Sequence, residues 1–217
     1  MSRRLVVVRP EPGNAGTVAA ALAAGCTVDA MPLFAVRPLP WTPPNPEGFD
    51  ALLLTSANAA RHGGAGLAAL ARMPTLAVGA ATASAAQAAG LSVVLVGDAD
   101  GAAMVDRAAE HGYRRLLHLA GRERTALPVA AVVPVYASET LAAPADLAAR
   151  LTGATVLLHS ARAARRLAAL VANRGATALA AISPAVLDAA GAGWRVGIAA
   201  SRPTDAALIE AAASLRD

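Results

Sequence analysis

The sequence predicts an α/β fold of two lobes, each a parallel sheet flanked by helices. Three observations predict it. Short aliphatic runs alternate with alanine-rich stretches of helical length, the pattern of one half returns in the other, and two extended, proline-bearing segments separate the repeated parts.

Strands are expected at residues 5–8, 51–54, 75–78, 92–96, 116–119, 155–158, 178–182 and 195–199, where leucine, valine or isoleucine runs stand between turn residues. Helices are expected between them, at 15–24, 57–71, 82–89, 102–111, 124–131, 145–151, 162–173, 185–190 and 205–215. Gly25, Gly90, Gly112, Gly153 and Gly175 stand where glycines close helices. Strand–helix alternation with nearly continuous aliphatic strands implies parallel sheets covered on both faces. The segment 33–48, "LFAVRPLPWTPPNPEG", carries five prolines in sixteen residues and suits neither a helix nor a central strand. Its counterpart "VVPVYASETLAAP" is also extended in character. The pair reads as a two-segment connector able to hinge.

The stretch "LLLTSANAAR" from Leu52 returns as "VLLHSARAAR" from Val156. An offset of 104 carries Ser56 to Ser160, Arg61 to Arg165, Gly79 to Ser183 and Thr82 to Val186. Upstream, "RRLVVVRP" from Arg3 echoes "RRLLHLAG" from Arg114, and "MPLFAV" from Met31 echoes "VPVYAS" from Val133, pairing Phe34 with Tyr136. Agreement at five separate places argues for an internal duplication over chance in an alanine-rich chain.

Composition narrows the function classes. Alanine inflates the 56% hydrophobic fraction and aromatics are 3%, so the cores must be aliphatic. The alanine-rich runs fall well short of the ~20 apolar residues a bilayer requires, and "LVVV" is too short for a signal-peptide core. The single cysteine, Cys26, permits no intramolecular disulfide and fits a reducing compartment, so a cytoplasmic location is expected. All 19 basic residues are arginines and the net charge is +4, which points to an anionic partner gripped by planar guanidinium forks. The arginines are scattered and no stacking set of aromatics accompanies them, so a small polyanion fits better than nucleic acid.

In a parallel α/β sheet the strand ends and the turns into the following helices line the ligand crevice. A Ser or Thr there caps the helix and leaves further first-turn N–H groups and the positive dipole end exposed, a geometry that binds anions. Ser56 and Ser160 mark one pair of such turns, and "VGAATA" with Thr82 and "ISPAVL" with Ser183 mark another. A third pair, "VRPEPGNAG" with Arg9 and "LAGRERT" with Arg122, is less symmetric. Each turn alone reads as plain capping; six in an arginine-rich, two-lobed chain suggest one crevice for a ligand with several anionic groups. No phosphate loop or dinucleotide turn is present. The four histidines, at 62, 111, 118 and 159, lack metal-ligand spacing, and His118 and His159 read as core or rim residues. Neither a metal nor a redox cofactor is expected.

With those residues in place, the chain resembles the uroporphyrinogen-III synthase family along essentially its whole length. The resemblance rests on Arg9-Pro10, "LTSANAAR", "AVGAATASAAQAAG", "LAGRER", Val135-Tyr136, "LLHSARAARRL" and "GIAASRPTDAALIEA", in that order and spacing. It implies two flavodoxin-like lobes, each assembled from both halves of the chain. Residues 1–35 with 140–217 would form one lobe and 40–130 the other, joined by linkers at 33–40 and 131–139. It further implies a monomeric, cofactor-independent lyase acting on hydroxymethylbilane, a linear tetrapyrrole with eight carboxylates. The product would be uroporphyrinogen III, formed with loss of water and inversion of the last ring through a spiro intermediate.

Because the bilane also closes unaided to the non-inverted isomer, such an enzyme must steer as well as accelerate. A hundredfold preference needs only about 2.7 kcal/mol of differential transition-state stabilisation, and one charge-assisted hydrogen bond contributes roughly 1.5–3 kcal/mol. The resemblance makes Tyr136 the candidate donor to the departing hydroxyl, since a phenol keeps its proton at neutral pH. Ser56, Thr82, Ser160 and Ser183 become candidate carboxylate binders, and Arg9 and Arg122 candidate ion-pair partners or solvated charges. Where the family often has Gly-x-x-Thr in its second copy, this chain has Ser183-Pro184-Ala185-Val186, so a hydroxyl is lost at Val186. Two other readings share the fold: a non-enzymatic two-lobed anion binder, and a flavodoxin-like nucleotide- or sugar-handling enzyme.

Overall fold

Eleven strands and eight α-helices follow one another along the chain in a computed structural model that describes residues 4–215. The elements in order are β1 (Arg4–Val7), α1 (Gly13–Ala23), β2 (Thr27–Ala30), β3 (Phe34–Pro38), β4 (Ala51–Leu54), α2 (Ala57–His62), β5 (Pro74–Ala77), α3 (Ala80–Ala88), β6 (Ser92–Val96) and α4 (Gly101–Glu110). They continue as β7 (Leu116–Gly121), β8 (Ala131–Thr140), α5 (Leu147–Leu151), β9 (Thr155–Leu158), α6 (Ala161–Leu170), β10 (Ala178–Ala181), α7 (Pro184–Asp188), β11 (Val196–Ala199) and α8 (Asp205–Ser214). Arg3, which opens the repeated "RRL", lies outside the described residues.

The chain divides into two compact units, Met1–Ala35 with Thr140–Asp217 and Val36–Glu139. The first holds a five-stranded sheet in the order β11-β10-β9-β1-β2, parallel throughout. The second holds a six-stranded sheet, β3-β8-β7-β4-β5-β6. Its strands β4 to β8 pair in parallel, and β3 at its edge makes it mixed, a departure from the all-parallel expectation.

These orders carry the duplication into three dimensions. Read from the other end, the first sheet runs β2-β1-β9-β10-β11, and the second, without β3, runs β8-β7-β4-β5-β6. The segments that resemble one another in sequence, β4 with β9 and β1 with β7, occupy equivalent places. In the first unit this is the flavodoxin-like order, second-first-third-fourth-fifth; the second is its circular permutation.

The sheets are buried on two faces at β1, β9 and β10 and at β4 and β7, because alternate side chains of these strands find a helix layer. In the first unit Val6, Val156 and Leu179 meet α6 through Ala164 and Leu167, while Leu5, Leu157 and Ala180 meet α8 through Leu208 and Ala212. In the second, Leu52 and Leu117 pack on Ala59 and Ala86 of α2 and α3, and Leu53, Leu76 and Leu116 pack on Met104 and Ala108 of α4. Alanine thus supplies closely seated helices, and the strand leucines and valines supply the buried area.

Three expectations change. The helix expected over 57–71 breaks after His62, because Gly64 turns to φ +61°, and continues as a 3-10 helix over Gly64–Leu70. The helix expected at 124–131 does not form: Pro128 removes a donor there, and β8 starts at Ala131. Gly175 sits in a short 3-10 turn instead of a left-handed cap, whereas Gly25, Gly90, Gly112 and Gly153 have the positive φ expected of them. The extended segments at 33–40 and 131–139 contain all of β3 and all but the last residue of β8. β3 lies at the sheet edge, where Pro38 is tolerated. β8 is interior, and its Pro134 sits beside the register shift between Ala120 and Gly121. The proline-rich stretch that follows β3 is pinned by Trp41, whose Nε1 donates to the Gly63 carbonyl at 2.8 Å.

Candidate active site

Each sheet has one place where successive connections diverge to opposite sides, between β1 and β9 in the first unit and between β7 and β4 in the second. Such a switch point opens a crevice beyond the carboxyl ends of the strands. In the second unit a cavity of ≈ 400 Å³ lies there, lined among others by Thr55, Ser56, His118, Gly121, Arg124 and Tyr136.

Ser56 ends β4 in extended geometry (φ −150°, ψ 139°) and caps α2, its Oγ accepting from the Asn58 N–H at 3.2 Å. The cap uses an oxygen lone pair, so the hydroxyl proton remains free to donate to a ligand. α2 has six residues, so its dipole adds little. Tyr136 comes from β8, half-buried, with its ring against Gly121 and 6.3 Å from the His62 ring. The β7–β8 register fixes it: Gly121 pairs with Tyr136, and the Arg122 N–H donates to the Tyr136 carbonyl at 2.8 Å.

His118 forms the floor. It is 1% exposed, and its Nε2 lies 2.9 Å from Thr55 Oγ1. Burial, reinforced by the Arg124 charge, pushes its pKa down to about 4, so the imidazole is neutral near pH 7. Arg124 curls back on its own loop, donating to the Arg122 carbonyl at 2.9 Å. Asp100, which caps α4 through the Ala103 N–H at 3.0 Å, and Glu123 stand on the same lining. The cavity therefore combines one guanidinium with two carboxyl groups and is not strongly cationic.

Two expected site residues of this unit lie off that lining. Thr82 is in the first turn of α3, 7% exposed, behind a cap at Gly79 that offers no side chain. Arg122 is exposed beyond the end of β7. Thr55, His118 and Arg124 were not singled out from the sequence as ligand-facing. The offset that pairs Ser56 with Ser160 also pairs Thr55 with His159, so a polar residue directly before each cap was the available signal.

In the first unit Ser160 and Ser183 repeat the Ser56 cap. Their Oγ atoms accept from Ala163 N–H at 3.2 Å and Val186 N–H at 3.4 Å, with extended backbones at φ −158° in both. Ser183 thus caps α7 through the backbone of Val186, the position that lost its hydroxyl; α7 has five residues, so its dipole contributes little. The β1/β9 switch point is filled by the protein's own charges. Arg9 Nη1 donates to Asp205 Oδ1 at 3.3 Å and to Thr17 Oγ1 at 3.2 Å, while Thr17 Oγ1 donates to Asp205 Oδ2 at 2.8 Å and His159 Nε2 lies 2.9 Å from Asp205 Oδ1. Burial pushes the Asp205 carboxyl up, but the bonds from Thr17 and His159 and the charges of His159 and Arg9 outweigh it and hold the pKa below the usual range. Burial and the Arg9 charge hold His159 down against the opposing pull of Asp205. Arg9 therefore already has an internal carboxylate, and its side chain leaves no room for a Cβ at Gly13.

Two α/β units with serine-capped helices at the carboxyl ends of their strands, and a cavity with a tyrosine on its lining at one switch point, place the chain in the class of α/β proteins that bind a small molecule at the strand ends. The model of the family "Uroporphyrinogen-III synthase HemD" matches residues 16–210, and the chain belongs to that family. It is a lyase of haem biosynthesis that closes hydroxymethylbilane to uroporphyrinogen III with loss of water, and the reading as a non-enzymatic anion binder is not favoured. The crystal structure of uroporphyrinogen-III synthetase from Helicobacter pylori 26695 superposes with a TM-score of 0.71 at 17% identity, covering 99% of this chain and 100% of that one. Uroporphyrinogen III synthase from Thermus thermophilus is also similar, at 17% identity over 97% of this chain and 98% of that one, with a TM-score of 0.41. The fold assignment rests on the Helicobacter likeness. No curated protein matches in sequence. Among the described residues no helix is long and apolar enough to cross a membrane.

Proposed function

We propose that the cavity between the ends of β4 and β7 receives the hydroxyl-bearing, reacting end of the bilane, with Tyr136 as donor to the departing oxygen. The observation that supports this most is the gathering of Tyr136, Thr55, Ser56 and His118 around one ≈ 400 Å³ space at a switch point. Its nearly balanced charge suits a neutral ring and a hydroxyl better than a cluster of carboxylates.

In the first step the bond between the terminal methylene and its hydroxyl breaks, and electrons from the pyrrole nitrogen fill the gap. The Tyr136 O–H supplies the proton that lets water leave. The substituted carbon of the last ring attacks the resulting azafulvene, giving the spiro intermediate, which fragments and recloses with that ring reversed. The proton lost as the ring regains aromaticity returns to the phenolate. The pyrroles are themselves electron-rich nucleophiles, so this route calls on no cofactor. Holding the arms in one folded arrangement is the main catalytic device.

The carboxylate arms fall to Ser56, Ser160 and Ser183 through hydroxyl donors and to Arg122 through its exposed guanidinium. Arg9 contributes through the part of its fork that Asp205 leaves open. Thr82, being buried, contributes the backbone donors of its turn. A cytoplasmic monomer without a nucleic-acid partner completes the reading, supported by the lone cysteine and the scattered arginines.

The test is to incubate purified wild-type and Tyr136→Phe protein with enzymatically generated bilane and to separate the product isomers. Wild type should yield the inverted isomer. Tyr136→Phe should lower turnover about a hundredfold and let the spontaneous, non-inverted isomer accumulate. Wild-type turnover by a folded Tyr136→Phe protein would remove the tyrosine from the reaction.

A further inference from the structure

His118 and Thr55 form a buried pair that the scheme above leaves unused. We propose that His118 is a positioning residue of the reaction site: it accepts nothing from Thr55, donates its Nε2 proton to Thr55 Oγ1, and so turns the Thr55 hydroxyl proton into the cavity as a further donor to the bilane. This rests on the assignment of the β4–β7 cavity as the reaction site.

The geometry starts with the strands. His118 pairs with Leu53 across β7 and β4, and Thr55 lies two residues beyond Leu53, so its side chain projects from the same face. Nε2 and Oγ1 are 2.9 Å apart, and both residues line the cavity. The other ring nitrogen, Nδ1, is buried without a partner among the described residues.

That orphaned atom decides which nitrogen carries the proton. A neutral imidazole has one N–H and one lone pair. With the proton on Nδ1, a buried donor would go unsatisfied, and Thr55 would spend its own proton on Nε2. With the proton on Nε2, the buried orphan is only an acceptor, and the Thr55 oxygen receives the bond with its proton still free. Buried unpaired N–H groups are the rarer and costlier case. The neutral state is secure, because burial and the Arg124 charge keep the ring from protonating near pH 7.

A threonine hydroxyl held this way is a fixed donor for an oxygen of the substrate, either the departing hydroxyl or a carboxylate of the reacting ring. Loss in kcat marks the first and a rise in KM marks the second; both are the predicted function.

The test combines kinetics with a readout independent of activity. Thr55→Val and His118→Phe should each lower kcat/KM about tenfold, the worth of one such hydrogen bond. The double variant should be no worse than Thr55→Val alone, because His118 acts only through Thr55. His118→Gln, whose amide can donate from near the position of Nε2, should recover most of the loss. Long-range proton–nitrogen correlation spectra of wild-type protein should show His118 protonated on Nε2 alone. Additive losses, wild-type kcat/KM in His118→Phe, or a proton on Nδ1 would each overturn the proposal. Should His118→Phe fail to fold, the spectrum and the Gln variant still decide. A failed Tyr136→Phe test with the predicted tautomer intact would instead fault the site assignment.

Discussion

The ring of Tyr136 lies across Gly121. A Cβ built on that glycine would stand 2.9 Å from Tyr136 Cζ, closer than such atoms approach one another, and a tight 3.1 Å from the phenol oxygen. Gly121 is therefore the surface against which the phenol rests, and the register shift just before it in β7 brings the two residues opposite each other. Gly121→Ala should push the ring off its seat and lower kcat at least about tenfold, because a displacement near 1 Å is costly in a positioned reaction. Overpacking at the same point should cost about 1–3 kcal/mol. Steady-state rates alongside urea melts separate the two effects; an unchanged kcat would show that the phenol is not held there for catalysis.

His118 couples stability to pH. In the unfolded chain its imidazole titrates near 6.5, and in the folded protein at about 4. Between those values the unfolded state binds more protons, so the His118 contribution lowers stability as pH drops from about 6.5 to 4 and levels off below. That lowering corresponds to roughly 3 kcal/mol. His159, shifted in the same direction, adds to the loss from the same upper edge. Urea denaturation across pH 4–7 should show this slope, reduced in His118→Gln; equal slopes in the two proteins would contradict it.

Asp205 ties Arg9, Thr17 and His159 together at the β1/β9 switch point. Asp205→Ala should destabilise the protein by about 1–2 kcal/mol, a modest figure because the carboxylate side chain is 32% exposed and water screens the ion pair. Its depressed pKa means that this contribution is complete above the usual carboxylate range and fades as pH falls through the folded value. The check is equilibrium unfolding at neutral and at acid pH, with the mutational difference expected to shrink in acid. A difference that holds constant would argue that Asp205 is not the ionised centre of the cluster.

Leu53 is wholly buried between β7 and β5 and packs toward Met104. Leu53→Ala should cost about 2–5 kcal/mol by opening a cavity under the Thr55–His118 pair. Thermal melts measure it directly; a loss under 1 kcal/mol would mean that the layer collapses around the smaller side chain.

Most of this architecture was legible in the sequence because its central strands are short aliphatic runs with sharp ends. Ala51–Leu54 and Thr155–Leu158 fall where the apolar runs fall. The edge strand Thr27–Ala30 was not legible, since it is only partly buried and carries Asp29, whose charge is satisfied by Arg150. The helix expected at 124–131 is a loop up to Ala130, as Pro128 requires, and the expectation of a helix concealed Arg124 as a candidate. Ser56 and Tyr136 were legible through the repeated junction and the family pattern. His118 was legible only as a core residue: a strand pattern shows that a histidine is buried, while its pairing with Thr55 depends on the β4–β7 register, which the sequence does not state. Arg9 read as an ion-pair partner for the ligand or a solvated charge, because its internal partner Asp205 is distant in sequence.

The most direct measurement is a titration of uroporphyrinogen III, kept reduced, into nitrogen-15-labelled protein with backbone amide shifts as the readout. Placement of the reacting ring between β4 and β7 predicts the largest perturbations at the amides of Ser56, Gly121 and Tyr136. Saturable binding that leaves those three amides unmoved would contradict it.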